Sequence, residues 1–405
     1  MLVCNSLLLL SQVILTRACI VYCVYNFFCR LTLIGNMNHN YTIRLAKESD
    51  IDALLPMYDY SRSLMRAAGN TVQWVGYPTR SDLAADIAVG ASYVVMDGDR
   101  PVATFALVPG VEPTYGVIVR GRWITPGKPY VTFHRLAKSE GVKGVAQAAM
   151  AFAKSRYSYL RADTHASNRA MRTILEAEGF VYSGIVFMDD GSERVAYEWW
   201  RYDEVPLALR QWVETDVLPQ YDHFDSAHRR DHARRVIARA MAMGDGQITA
   251  PLRYVAAAMH DLGLSSGRER HHLESGRMVR SCDRLRDWFT EAEVELIAQA
   301  VEDHRASATN PPRSLLGCIV AEADRDVEPE TIVRRTVEYG LSHYPELDRE
   351  GHWQRTLQHL DEKYSEHGYI KLWLADSPNA EPLAELRQLI KDDARLRKLF
   401  LEFFE

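Results

Sequence analysis

After residue 29 this chain has almost no cysteine. Four of its six cysteines stand in the first 29 residues, and only Cys282 and Cys318 serve the rest. That excludes a disulfide framework and points to a reducing, cytoplasmic compartment. A basic excess is missing too. The 48 Lys and Arg are outnumbered by 54 Asp and Glu, for a net charge of −6, which gives no support to a nucleic-acid polymer as the main partner. There is no internal repeat and no low-complexity tract. Beyond residue 36 the chain has no long apolar run of the kind a membrane span requires.

What is present is ordinary globular material. At 405 residues, with 47% hydrophobic and 25% charged residues, roughly two to three domains are expected. Residues 1–36 stand apart. Leu7–Leu10, Val13–Leu15 and Ala18–Phe28 are apolar and broken by Arg17. A signal peptide would want a basic start and a small-residue cleavage site, and an anchor would want a run of about 20. The reading that fits is an extension upstream of a start at Met37. A chain begun at Met37 is expected to stay soluble with an unchanged melting temperature; loss of folding on that truncation refutes the reading.

From Tyr41 the pattern alternates like strands separated by helices. Tyr41–Leu45, Ser92–Met96, Val102–Val108, Tyr130–Ala137, Tyr159–Thr164, Phe180–Met188 and Arg194–Trp199 read as strands. Leu54, Leu55, Tyr58 and Leu64, then Gly144–Lys154 and Ala170–Ala177, read as helices, with Ser49 a candidate cap for the first. Between strand and helix lies Glu140-Gly141-Val142-Lys143-Gly144-Val145-Ala146. Glycine there lets backbone N–H groups approach a ligand, and a helix start favours anions. Asp163-Thr164-His165-Ala166-Ser167-Asn168 follows the next strand, and Glu178-Gly179-Phe180 follows the next helix.

This order resembles the GNAT family of acyl-CoA N-acyltransferases over roughly Tyr41 to Trp200. The resemblance implies that the amides of Val142, Lys143, Gly144, Val145 and Ala146 cradle the coenzyme A pyrophosphate. It implies that Asn168 contacts the pantetheine–phosphate arm and that the backbone at Leu136 and Ala137 orients the thioester. Gly141 stands where the family usually has Gln or Arg, with Lys143 to supply charge. Tyr182 is out of register for a catalytic tyrosine. His134 is either a general base, its ordinary pKa being about 6.5, or a packed core histidine.

After Asp203-Glu204-Val205-Pro206 strand patterns stop. Leu252, Val255, Ala256 and Met259 recur as one buried helical face, closed by His260-Asp261-Leu262-Gly263. Gly263 fits the residue just past a helix end. Unpaired, those two ionisable groups would cost on the order of 2–7 kcal/mol each to bury, and a metal ion would partner them. His232 and Asp324 also sit on helical patterns, beside Val236, Ile237 and Ala240 and beyond Leu315, Leu316 and Ile319.

The order His232 … His260-Asp261 … Asp324 resembles the HD superfamily of metal-dependent phosphohydrolases, over roughly Trp212 to Tyr339. The resemblance implies a divalent ion (Mn, Fe, Zn, Ni or Mg) on these four ligands, with His260 and Asp261 at the centre of catalysis. His272 and His304 resemble the extra histidines that hold a second metal in some members; phosphate contact or a solvated face is the other reading. Arg268, Arg270, Arg277 and Arg305 are placed to hold phosphate oxygens. Glu302-Asp303 resembles the acidic pair of alarmone hydrolases, or else is solvated.

The expected architecture is an α/β GNAT-like mixed sheet with flanking helices over 37–203, then an all-α HD-type helical domain over 204–405, with 1–36 outside the fold. Expected partners are acetyl-CoA or another acyl-CoA, an amine and a phosphorylated small molecule, with no membrane. The rival reading makes one domain a sensor of acyl-CoA or nucleotide that biases the other.

Overall fold

Alternation of apolar residues along seven stretches predicts a sheet, and an eight-stranded one forms. The computed structural model describes residues 41–225, 228–244, 246–307 and 310–405, so the expectations for 1–36 lie outside the described residues. The strands are β1 (Thr42–Leu45), β2 (Ser92–Asp97), β3 (Arg100–Pro109), β4 (Ile118–Val119), β5 (Val131–Lys138), β6 (Tyr159–Thr164), β7 (Val181–Phe187) and β8 (Glu193–Trp200). Their spatial order is β1-β2-β3-β5-β6-β8-β7-β4. β5 and β6 are parallel, and the other neighbours are antiparallel.

Helices α1 (Ile51–Ala67), α2 (Arg80–Ala88), α3 (Val145–Arg156) and α4 (Arg169–Ala177) flank the sheet. The period of two decides which core each strand residue joins. Val94 and Met96 pack with Leu54, Tyr58 and Leu83 of α1 and α2. Tyr93 and Val95 pack with Val145, Ala149 and Met150 of α3 on the opposite face. Each fully buried Leu there contributes about 1.5–3 kcal/mol. Two local details differ from the sequence reading. Asp50, not Ser49, closes the turn before α1: its carboxylate accepts from the Lys47 amide at 2.7 Å and pairs with Arg44 at 2.7 Å. α2 was not expected, because Leu83 is its one fully buried residue; Thr79 and Asp82 nonetheless cap its start reciprocally.

The feature that positions chemistry is the β5–β6 pair. Its register holds only at Val131–Leu160 and Thr132–Arg161. Beyond that point pairing stops, and the edge of β5 that faces β6 opens into a wedge. On its other edge β5 carries a register shift opposite Thr104–Ala106, and Arg135 sits in the left-handed region with φ 58°, a conformation rare for such a residue. Asp86 of α2 and the Tyr77 hydroxyl bind its guanidinium and hold it there.

From Leu207 on, the chain is helical: α5 (Leu207–Trp212), α6 (Arg230–Ala242), α7 (Ala250–Met259), α8 (His271–Ser281), α9 (Glu291–Asp303), α10 (Leu315–Asp324), α11 (Pro329–His343), α12 (Arg349–Tyr364), α13 (Ala380–Lys391) and α14 (Asp393–Phe404). α6, α7, α9 and α10 share one core, with Val236, Val255, Ile297 and Ile319 inside it. α11 to α14 make a second around Val333, Trp353, Leu386 and Phe400, with Phe403 and Phe404 packed against it. Sheet and helices meet where Tyr159, Val181 and Trp200 pack on Ala238 of α6. Among the described residues no helix is long and apolar enough to cross a membrane.

Candidate functional sites

The wedge opens into a cavity of about 730 Å³. All eight residues proposed for the cofactor line it: Leu136 and Ala137 from β5, Val142 to Ala146 from the following turn, and Asn168. The turn is shaped by Gly141 and Gly144, at φ 75° and 77°. Gly144 is the cap residue of α3, and no acidic residue stands in that helix's first turn. The free amides there meet the cavity with the positive end of the helix dipole. Lys138 donates to the Val142 carbonyl at 2.7 Å and Tyr41 to the Lys143 carbonyl at 2.8 Å, which pins the turn. Asn168 caps α4 by accepting from the Met171 amide at 3.3 Å.

His134 lines the same cavity, so it is not a packed core residue. Its Nε2 lies 3.3 Å from Glu112 and its Nδ1 3.7 Å from Asp163. The hydrogen bond from His134 holds the Glu112 carboxyl down at about 2, against the effect of its own burial. Tyr115 donates to Asp163 at 2.7 Å. Tyr182 instead donates to the Arg120 carbonyl at 3.1 Å, away from this group.

The helical region gathers the second site. His232 comes from α6, His260 and Asp261 from the end of α7, and Asp324 is the last residue of α10. His232 Nε2 stands 3.2 Å from His260 Nε2, 3.6 Å from Asp261 Oδ2 and 3.2 Å from Asp324 Oδ1. His260 Nε2 is 3.3 Å from Asp261 Oδ2. The other oxygen of Asp261 faces a second pair: His271 Nε2 at 3.4 Å and His304 Nε2 at 3.3 Å, themselves 3.2 Å apart. His304, one of the two histidines expected at a second metal, therefore stands beside Asp261 with His271 rather than with His272. His271 opens α8, and its ring faces inward; the neighbouring His272 keeps a buried Nδ1 with no hydrogen-bond partner among the described residues. Burial, and then His271, push the His272 pKa down to about 4.

The donor set fits a cation. His260, His271 and His304 each place Nδ1 on a backbone carbonyl three residues earlier, at 2.8, 2.8 and 2.5 Å. A carbonyl only accepts, so Nδ1 carries the proton and Nε2 is left with its lone pair. Lone pairs from facing imidazoles at 3.2 Å repel unless positive charge lies between them. Burial pushes His260 down, but Asp261 and Asp324 prevail and bring it up to about 10. Both carboxyls sit well below the usual range although burial opposes it, because the imidazoles face them. A metal ion would replace the proton that this field attracts.

Two further residues support the site: Tyr221, which went unread in the sequence, and Gly263, which was read there for another role. Tyr221, fully buried, donates to the Ala258 carbonyl at 2.9 Å and accepts from the Asp261 amide at 3.3 Å. Gly263 is not a helix-end glycine. The helix stops at Met259, and Gly263 lies in a short turn against α8, where it donates to Ser275 at 2.9 Å. An added Cβ would overlap the His271 carbonyl and come within 2.6 Å of the Ser275 amide. Gly263→Ala is expected to destabilise by about 1–3 kcal/mol through overpacking and to loosen the His271–His304 pair; an unchanged thermal melt would show that the approach is not tight.

The arginines proposed for phosphate are partly committed elsewhere. Arg277 pairs with Glu274 and Arg268 with Asp225 at 2.7 Å, while Arg305 donates to the Glu269 carbonyl at 2.7 Å. Glu302 and Asp303 pair with Arg313, at 2.7 and 2.9 Å, rather than facing the histidines.

With this geometry in hand, comparisons add three findings. A family model described as HD domain matches residues 229–326, the stretch that supplies His232, His260, Asp261, His271, His304 and Asp324. Solved structures similar to this chain include a GNAT-family acetyltransferase from Streptococcus agalactiae, 29% identical, covering 42% of this chain and 100% of that one with a TM-score of 0.38. They also include a ribosomal-protein-S5-alanine acetyltransferase from Vibrio fischeri, 14% identical, covering 42% and 98% with a TM-score of 0.30. No curated protein matches the chain.

Proposed function

We propose that the protein joins two activities: residues 37–203 transfer an acyl group from acyl-CoA to an amine, and residues 204–405 hydrolyse a phosphate ester or nucleotide with a divalent metal. The observation that carries the second activity is the convergence of His232, His260, His271 and His304 on the two oxygens of Asp261, with Asp324 beside the first pair. Held there, an ion would supply Lewis acidity that lowers the pKa of nearby water and offsets phosphoryl charge. The chain's own part is to fix the imidazoles of His260, His271 and His304 in one tautomer through a carbonyl and to divide Asp261 between the two halves. Asp324 adds negative charge on the first half, where His232 and His260 sit.

For the first activity the support is that eight residues chosen for one ligand line one cavity. The α3 amides would hold pyrophosphate, and the open edge of β5 would align the thioester. His134 would take the amine proton, with Glu112 ionised beside it to stabilise the resulting imidazolium. A cytoplasmic setting suits Cys282 and Cys318, both free thiols. Metal analysis of the purified full chain, a phosphate-release screen over nucleotides and calorimetric titration with acetyl-CoA test the reading. Metal and phosphate release together support the hydrolase. Bound acetyl-CoA with no turnover of any amine would make the first unit a sensor, a role that Gly141 in the pyrophosphate turn favours.

A further inference from the structure

A second cavity, of about 350 Å³, lies where the sheet unit meets the helices. It is lined by three cations, Lys154, Arg210 and Arg234, and two acids, Glu178 and Glu214. Both acids are already taken. Lys154 donates to the Glu178 carboxylate at 2.6 Å, and Arg234 donates to Glu214 at 2.8 Å. Arg234 also donates to the Glu176 carbonyl at 2.9 Å, near the end of α4. That leaves Arg210. Among the described residues no carboxylate or carbonyl accepts from it, and its Nε is buried without a partner; Arg234 Nε is in the same condition. A buried donor left unmade costs about 1–3 kcal/mol, so something should answer these groups.

The walls say what kind of molecule would. Trp199, Trp200, Tyr202 and Tyr254 line the cavity, and Tyr202 meets Tyr254 edge to face at 5.6 Å. Aromatic faces suit a flat apolar body, and one uncompensated guanidinium suits one negative charge in bidentate geometry. The volume is at the small end for ligand sites. We infer that the junction cavity is a binding site for a small aromatic carboxylate, held by Arg210 against the Trp and Tyr walls.

Its placement gives such a ligand access to both chemistries. Lys154 lies in the last turn of α3, whose first turn lines the wedge cavity. Arg234 and His232 share α6, and Tyr254 lies on α7, whose C-cap residue is His260. The site depends on neither activity being correct.

Calorimetry on the full chain with benzoate as probe tests it, with uncharged benzamide as the isosteric control. Saturable binding of one benzoate, at least tenfold weaker binding of benzamide, and a tenfold loss in Arg210→Gln are expected, with acetyl-CoA titrations unchanged by that substitution. No saturable heat from benzoate, equal affinity for benzamide, or an unaffected Arg210→Gln overturns the site and leaves water in the cavity. If Arg210→Gln does not fold, the benzoate–benzamide comparison on the parent chain still decides.

Discussion

An Asp261→Ala variant is expected to lose its metal and its phosphate release together while keeping its affinity for acetyl-CoA. Asp261 is 4% exposed and gives Oδ2 to His232 and His260 and Oδ1 to His271 and His304. Its removal takes one anionic ligand from each half at once. Losing a group that merely orients a ligand costs metal affinity or activity 10–100-fold, so losing the shared ligand should cost more than about 100-fold. The wedge cavity proposed for acyl-CoA is lined by the other half of the chain, so calorimetry with acetyl-CoA should not change. Stoichiometric metal and full turnover in the variant would mean that Asp261 is not a ligand. Metal lost from a variant whose parent cleaves no phosphoester would favour a sensing role.

The second large effect is expected at Gly144. Its φ of 77° is a conformation that β-branched residues adopt only under strain. Gly144→Val would either twist the turn or place two methyl groups where the α3 amides meet the cavity. Acetyl-CoA binding should fall below detection, while metal content stays at the parent level. Equal affinity in Gly144→Val would move the coenzyme site elsewhere. Unchanged metal in the same sample shows that the helical half has folded.

How much of this was legible depended on how local each signal was. His260, Asp261 and Asp324 close strongly apolar helices, and His232 stands beside the apolar face of Val236, Ile237 and Ala240, so the need for a partner could be read from neighbours in sequence. The second pair could not be phased. His271 and His272 are adjacent, and which one faces inward is set by where α8 begins, a position no apolar repeat marks. Gly263 was misread because close approach to α8 and a helix end both call for glycine; only the packing of Ser275 and His271 separates the two. α2 hid because Leu83 is its one fully buried residue and no apolar stripe marks it, although the Thr79–Asp82 cap was there to be seen. The junction cavity was beyond reach, since Arg210 and Trp199 belong to different units and nothing local links them.

The strand order also bears on synthesis at the ribosome. β8, the last strand made, inserts between β6 and β7, and β4 pairs with β7, across the sequence from Val119 to Ile185. Residues 42–138 can pair β1, β2, β3 and β5 as they emerge, but the far half of the sheet waits for Trp200. Nascent chains emerge at about 5–20 residues per second, so β6 spends seconds with one edge unmatched, a period when unpaired strand edges are most prone to wrong partners. The wedge, which needs both β5 and a seated β6, is among the last parts of the sheet to take shape, and the helices that follow from Leu207 are translated onto a platform only just closed.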